Sequence, residues 1–182
     1  VIPFLNGLSH FDILKKKFGK KCFVSNVGKV VSKKNKVSEV LHTSNNAPEV
    51  LISFKNKKKR EKNIIKKIFR DIDFKTKIKT KDSVVIWTKL VRLSAISAIT
   101  SLYNCNLGQI SKSKLKMHQL NALIKETLFI SKKIYNFKEK YTNIQKLIKS
   151  FPKNLTTSLQ RDINSNLNSE LETQIGAIVK LS

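Results

Sequence analysis

One short pattern of acidic and basic residues in the sequence could support hydrolytic chemistry. Asp73–Lys75 has the acid-x-Lys spacing of many metal-dependent nucleases, with Glu49, Glu61 or Asp71 as a second carboxylate. Such carboxylates would hold Mg²⁺, and the lysine would stabilise the developing charge. Short patterns of this kind arise easily by chance in a chain with 33 lysines. A metal-dependent nuclease is therefore the weakest of the functions considered.

No other constellation of reactive residues is evident. His10, His42 and His118 are isolated, and no serine or cysteine has a histidine and an acid close by in the sequence. The five glycines are too scattered for a phosphate-binding loop. Cys22 and Cys105 are far apart and lack the neighbours of a zinc site, which predicts free thiols. We predict a non-enzymatic protein with no catalytic residue, metal or cofactor.

The charge of the chain is its most unusual property. Lys and Arg number 37 against 12 Asp and Glu, a formal net charge of +25 on 182 residues. Lys15–Lys81 holds 22 basic and 5 acidic residues, whereas 154–182 has a net charge of −1. Because such an excess of cations repels itself, a polyanionic partner is expected for the basic segment.

The predicted RNA-binding residues are lysines and one arginine of the basic segment, with one aromatic ring that could stack on a base. They are Lys15, Lys16, Lys17, Phe18, Lys20, Lys21, Lys33, Lys34, Lys36, Lys57, Lys58, Lys59, Arg60, Lys75, Lys77, Lys79 and Lys81.

Two elements of the basic segment have a clear periodicity. Residues 57–72 have helical spacing, with isoleucines and Phe69 on one side and cations on the other. In Phe74–Lys81, lysines alternate with other residues, which predicts a strand with four lysines on one face, about 6.6 Å apart. That spacing suits phosphates along a nucleic-acid strand. Lysines that protect an edge strand from aggregation would give the same pattern.

A heptad-like pattern dominates the second half of the chain. From residue 130 onward, apolar residues follow steps of four and three, as in the seam of a coiled coil. This pattern predicts a helix over 111–150, a turn at Pro152, and a returning helix. The predicted protein-interface residues are Ile130, Ile134, Phe137, Tyr141, Ile144 and Ile148.

The apolar stretch Val84–Tyr103 resembles a membrane span in length. Lys89 and Arg92 interrupt it, and serines and threonines dilute it, so we predict a buried element and no membrane span.

Together these patterns predict an α+β fold, with a small basic β-containing N-terminal part followed by a long antiparallel, coiled-coil-like helical hairpin. The predicted segments are a basic extension (1–21), an RNA-facing α+β region (22–92), a buried connecting segment (93–109) and a protein-facing hairpin (110–182).

Composition of this kind is similar to that of ribosomal proteins as a class. We predict a structural RNA-binding subunit of a large ribonucleoprotein, with rRNA and neighbouring proteins as partners, in the mitochondrial matrix or alternatively the cytoplasm. The main alternative is a coiled-coil scaffold subunit of a protein assembly or of an anionic membrane surface.

Overall fold

The computed structural model describes residues 1–30, 32–36, 39–42, 47–55 and 58–182, which form two compact units. Unit 1 comprises Val1–Leu5 and Phe11–Ile86, and unit 2 comprises Asn6–His10 and Trp87–Ser182. The predicted boundary after residue 92 lies inside a helix, Asp82–Leu102.

Unit 1 is built on a small mixed sheet. Its elements are α1 (His10–Phe18), β1 (Ser25–Gly28), β2 (Ser32–Lys36), β3 (Glu39–His42), β4 (Glu49–Ser53), α2 (Lys59–Asp71) and β5 (Lys75–Lys79). Strand β4 is central, antiparallel to β1 and parallel to β5, whereas β2 and β3 form a separate antiparallel pair. The helix between β4 and β5 provides the crossover that parallel neighbours require.

Helix α2 covers the sheet through one apolar side. Ile65 and Phe69, four residues apart, are buried against Phe23, Val50 and Ile52. Most cations of the helix are exposed and remain hydrated, whereas Lys62 is half-buried. The helix predicted from residue spacing in this region is thus confirmed as α2.

The alternating strand is also confirmed, as β5. Lys75, Lys77 and Lys79 are exposed, while Thr76 and Ile78 between them are half-buried. Strand β5 lies at the edge of its sheet, and the ammonium of Lys77 is 2.9 Å from the Glu49 carboxylate. This arrangement matches the edge-protecting role that the sequence left open.

Unit 2 is helical in its described residues. Its helices are α3 (Asp82–Leu102, from Trp87 onward), α4 (Leu107–Ser111), α5 (Lys114–Tyr135), α6 (Tyr141–Lys149), α7 (Ser158–Asn164) and the short α8 (Ala177–Val179). The largest fully buried apolar side chains of the unit come from four of these helices: Trp87, Val91, Ile99, Ile110, Leu120, Ile124 and Leu159.

The buried part of helix α3 includes small polar residues, Ser94, Ser97 and Thr100. The Ser94 hydroxyl donates to the Leu90 carbonyl at 2.7 Å, so its polarity is satisfied within the helix. Among the described residues, α3 is the one helix long and apolar enough to cross a membrane. More than half of its most apolar stretch is buried within the protein, as in the core helix of a globular domain. The prediction of a buried element is confirmed.

The predicted continuous helix over 111–150 is not formed. Helix α5 ends at Asn136, which adopts a left-handed conformation with φ of +48° and donates its backbone N–H to the Lys132 carbonyl. An asparagine in this conformation is a common helix terminator. The chain then folds back and buries Phe137 before α6 begins at Tyr141.

The returning arm is also absent, so the predicted long antiparallel coiled-coil-like hairpin is wrong. Helix α7 has only seven residues and ends before Asn166, which has a positive φ of +51°. Leu167 and Leu171, two apolar residues of the stretch predicted to form the returning helix, are 63% and 41% exposed. The apolar residues after Pro152 therefore belong to separate short segments, not to one helix.

We expect the α5 core to dominate the stability of unit 2. Leu120→Ala removes a fully buried side chain and should lower the free energy of unfolding by about 3 kcal/mol, because a cavity remains. Leu115→Ala changes the same residue type on the same helix, where it is 62% exposed, and should cost well under half as much. Urea denaturation measures both, and equal losses would contradict this account of the core.

Candidate functional site

A charged side chain on the apolar helix α3 is the centre of the site. Lys89 is half-buried in unit 2, and its ammonium donates a hydrogen bond of 2.6 Å to Oδ1 of Asn6. Asn6 in turn donates from Nδ2 to Oε2 of Glu170 at 2.9 Å. Since an ionised carboxylate only accepts hydrogen bonds, Glu170 fixes the Asn6 amide with its oxygen toward Lys89.

The carboxylate has a second support. Gln174 donates from Nε2 to the same Glu170 oxygen at 2.6 Å, and its backbone N–H donates to the Glu170 carbonyl at 2.9 Å. Gln174 is fully buried within a π-helical segment, Glu172–Gly176. Its Oε1 accepts no hydrogen bond from the part of the chain that the structure describes. We refer to Asn6, Lys89, Glu170 and Gln174 as the Lys89 cluster.

A glycine holds the Asn6 segment in place. Gly7 has a φ of +88°, and the next residue, Leu8, donates its backbone N–H to the Thr173 carbonyl at 2.9 Å. A Cβ on Gly7 would lie 2.2 Å from that carbonyl oxygen. Only glycine permits both the conformation and the close approach. The approach brings Asn6 beside the segment that carries Glu170.

The electrostatics of the cluster favour proton transfer near neutral pH. Burial lowers the pKa of Lys89 from 10.5 to about 8, repulsion from Arg92 adds to the decrease, and Glu170 opposes it. Burial also lowers the pKa of His10 from 6.5, against the attraction of Glu170. Near pH 7, Lys89 is therefore a charged donor whose proton is unusually easy to release, and His10 is mostly neutral.

This set of groups suits chemistry at a polar carbon–oxygen bond. A lysine with a pKa of about 8 can donate a proton to an oxygen that becomes negative during reaction. Among the described residues, no group of three or more His, Cys, Asp or Glu could hold a metal ion.

The predicted nuclease residues are not assembled into a site. Asp71 ends α2, and Asp73 occupies the left-handed turn before β5 with a φ of +57°. The Glu49 carboxylate pairs with the ammonium groups of Lys29 and Lys77, at 3.5 and 2.9 Å.

The predicted RNA-binding residues all belong to unit 1. Lys57 lies outside the described residues, and Lys33, Lys34 and Lys36 lie in β2. The other lysines and Arg60 are exposed, Phe18 is half-buried, and Lys15 is 3.2 Å from the Asp82 carboxylate.

The predicted protein-interface residues are divided between two helices and the loop that joins them. Ile130, Phe137, Ile144 and Ile148 are buried inside unit 2, whereas Ile134 is 45% exposed and Tyr141 is half-buried. Most of the heptad pattern thus comes from the unit's own core. A role of these residues in binding another protein stays a prediction.

The candidate functional residues that sequence reasoning missed are those of the Lys89 cluster. Lys89 and Arg92 are the only charged residues in Val84–Tyr103, and they were interpreted solely as evidence against a membrane span. Two cations in the middle of an apolar helix are costly to bury, which is a signal of function. Nothing in the sequence joins them to Asn6 or Glu170.

Comparison with known proteins gives one family match and one curated relative. Residues 83–182, more than half of the chain, match the family model described as ketopantoate reductase PanE/ApbA C terminal. The uncharacterized oxidoreductase YkpB of Bacillus subtilis is 25% identical over 133 residues, which cover 73% of this chain and 44% of that protein.

Solved structures share the fold over nearly the whole chain. D-mandelate dehydrogenase in complex with NADH matches with a TM-score of 0.87 and 15% identity, over 100% of this chain and 62% of that one. The dimeric ketopantoate reductase of Staphylococcus aureus matches with a TM-score of 0.80 and 18% identity, over 99% and 59%. The chain thus spans about three fifths of these structures and less than half of the curated relative.

These matches correct the predicted function. The prediction of a structural RNA-binding subunit of a ribonucleoprotein, with rRNA and neighbouring proteins of that assembly as partners and no enzymatic role, is wrong, because the matching family is one of reductases. The scaffold and nuclease alternatives are wrong for the same reason. The error came from treating net charge as evidence of a partner, when it describes only the surface field. What the individual lysines contact, and location in the mitochondrial matrix, stay predictions.

The glycine that positions Asn6 offers a direct test of the cluster's architecture. Gly7→Ala should lower the free energy of unfolding by more than about 1 kcal/mol, because a left-handed alanine is strained and its Cβ meets the Thr173 carbonyl. Gly19→Ala is the matched control, since Gly19 has a φ of +50° but open space around it. Chemical denaturation should show the larger loss for Gly7→Ala. Equal losses would show that the Thr173 contact is unimportant.

Proposed function

Because the chain belongs to the ketopantoate reductase family, whose C-terminal model it matches over residues 83–182, we propose that it carries the proton-donating part of a 2-oxo-acid reductase. The observation that supports this most directly is the bond from the Lys89 ammonium to Asn6, which Glu170 orients. Ketopantoate is a 2-oxo acid and mandelate is the reduced form of one, so both named relatives act at the same functional group.

The residues of the cluster fit the oxygen atoms of such a substrate. The Lys89 ammonium and the Asn6 amide are groups that can donate hydrogen bonds to a carbonyl oxygen. None of the five glycines has the G-x-G-x-x-G spacing that binds a dinucleotide pyrophosphate, so no residue of this chain is assigned to hold the cofactor. A reduced nicotinamide would supply the hydride.

Lys89 is the proton donor in this reaction. As hydride reaches the carbonyl carbon, the C=O π electrons move to the oxygen, which takes a proton from the Lys89 ammonium. A C–H and an O–H bond form, and the lysine is left as a neutral amine that regains its proton from water. The lowered pKa makes this transfer easier, since less free energy is needed to remove the proton.

Asn6 and Glu170 position the donor. Asn6 Oδ1 accepts a hydrogen bond from the Lys89 ammonium, which fixes the position of the proton donor. The Glu170 carboxylate keeps Asn6 in the required orientation and favours the charged form of Lys89. Lys89 is therefore still charged at neutral pH, yet it releases its proton more readily than an ordinary lysine.

Removal of the donor should abolish most of the activity. In the intact protein, Lys89→Ala should lower kcat for reduction of ketopantoate or phenylglyoxylate by about 100-fold or more, as expected for loss of a general acid. Lys149→Ala, at an exposed position of α6, should leave kcat unchanged. Oxidation of NADH or NADPH, followed by absorbance, measures both. If the unaltered protein reduces no 2-oxo acid, or Lys89→Ala retains full kcat, the proposal fails.

The pH profile should report the pKa of Lys89. Because the ammonium is the donor, the rate of reduction should fall as pH rises above about 8. Glu170 raises the pKa of Lys89, so Glu170→Gln should move this fall to lower pH. Glu172→Gln changes an exposed carboxylate two residues away and should leave the profile in place. A fall that does not move in Glu170→Gln would contradict the assigned roles.

A further inference from the structure

The second cation of α3 lies beside the proposed proton donor. Arg92 follows Lys89 by three residues, which places the two side chains on the same side of the helix. The Arg92 Nη1 donates to the backbone carbonyl of Thr88, so the guanidinium turns back toward the turn that carries Lys89. Like Lys89, Arg92 is half-buried.

Two neighbouring cations in a partly buried place repel each other, and a nearby anion lowers that repulsion. Arg92 repels the Lys89 ammonium, and burial removes much of the water that would screen the two charges. Near Lys89, Glu170 supplies one negative charge, and its Oε2 already accepts from Asn6 and Gln174. A second anion bound beside Lys89 would lower the repulsion further.

The substrate class of the proposed function has such an anion. A 2-oxo acid carries its carboxylate on the carbon next to the reacting carbonyl. A guanidinium can bind a carboxylate through two parallel N–H bonds, whereas an ammonium is a compact donor suited to a single oxygen. Arg92 therefore suits the carboxylate of a 2-oxo acid, and Lys89 suits the neighbouring carbonyl oxygen.

We propose that Arg92 binds the substrate carboxylate and so makes the site selective for 2-oxo acids over neutral ketones and amides. This inference rests on the proposed function. Arg92 holds one end of the substrate, and Lys89 donates to the carbonyl oxygen at the other. Binding at two points fixes which atom receives the proton.

Binding of anilino(oxo)acetate, an oxo acid seen in a ternary structure of D-mandelate dehydrogenase with NADH, tests the proposal. Calorimetric titration of the intact protein with NADH would compare this acid with its neutral carboxamide. Arg92→Gln should weaken binding of the acid by about 10- to 100-fold, as expected for loss of charged hydrogen bonds, and change carboxamide binding by less than about 3-fold. Arg92→Lys should restore part of the affinity for the acid.

A purely structural role for Arg92 predicts a different result. Arg92→Gln would then weaken binding of the acid and of the carboxamide by the same factor. Arg92→Lys would change the affinity for both compounds equally. Equal losses, or unchanged binding of the acid, would overturn the assignment of Arg92 while leaving the reductase proposal intact. If the unaltered protein neither binds the acid nor reduces any 2-oxo acid, the proposed function itself is wrong, and the role of Arg92 fails with it.

The pH profile provides a second readout. Arg92 lowers the pKa of Lys89, whereas Glu170 raises it and His10 is mostly neutral at pH 7. Arg92→Gln should therefore move the fall in the reduction rate to higher pH, opposite to the effect of Glu170→Gln. A profile that does not move would show that Arg92 lies too far from Lys89 for both to contact one substrate.

Discussion

The partial burial of the Lys89 ammonium is the interaction on which the site depends. A charged amine loses hydration when it is buried, and the loss is tolerable only if other polar groups replace water. Asn6 supplies that replacement, Glu170 orients Asn6, and Gln174 supports Glu170. Each residue is hydrogen-bonded to the next, so the loss of one would disturb the others.

The fold of unit 2 brings together residues that are distant along the chain. Asn6 and Glu170 are 164 positions apart, and Lys89 lies between them on a different element. The close approach of Gly7 to Thr173 and the π-helical segment around Gln174 both hold the cluster in place. Irregular backbone of this kind often occurs at functional sites.

Sequence periodicity predicted local elements well and long-range structure poorly. The spacing of Ile65 and Phe69 and the alternation along β5 reflect contacts within single elements, so α2 and β5 could be predicted. The heptad pattern was misleading because its buried residues belong to two helices and the loop between them, separated by the left-handed turn at Asn136. A periodic pattern does not reveal where a helix ends when the terminator is an ordinary asparagine.

The charge of the chain and the chemistry of the site are carried by different residues. Exposed lysines of unit 1 account for most of the surplus, and their number sets the surface field without specifying any reaction. Lys89 and Arg92 contribute only two of the 37 cations, but they are the two placed on an apolar helix, where charge is costly. The position of a cation on an apolar helix is therefore a better guide to a functional site than the number of cations in the chain.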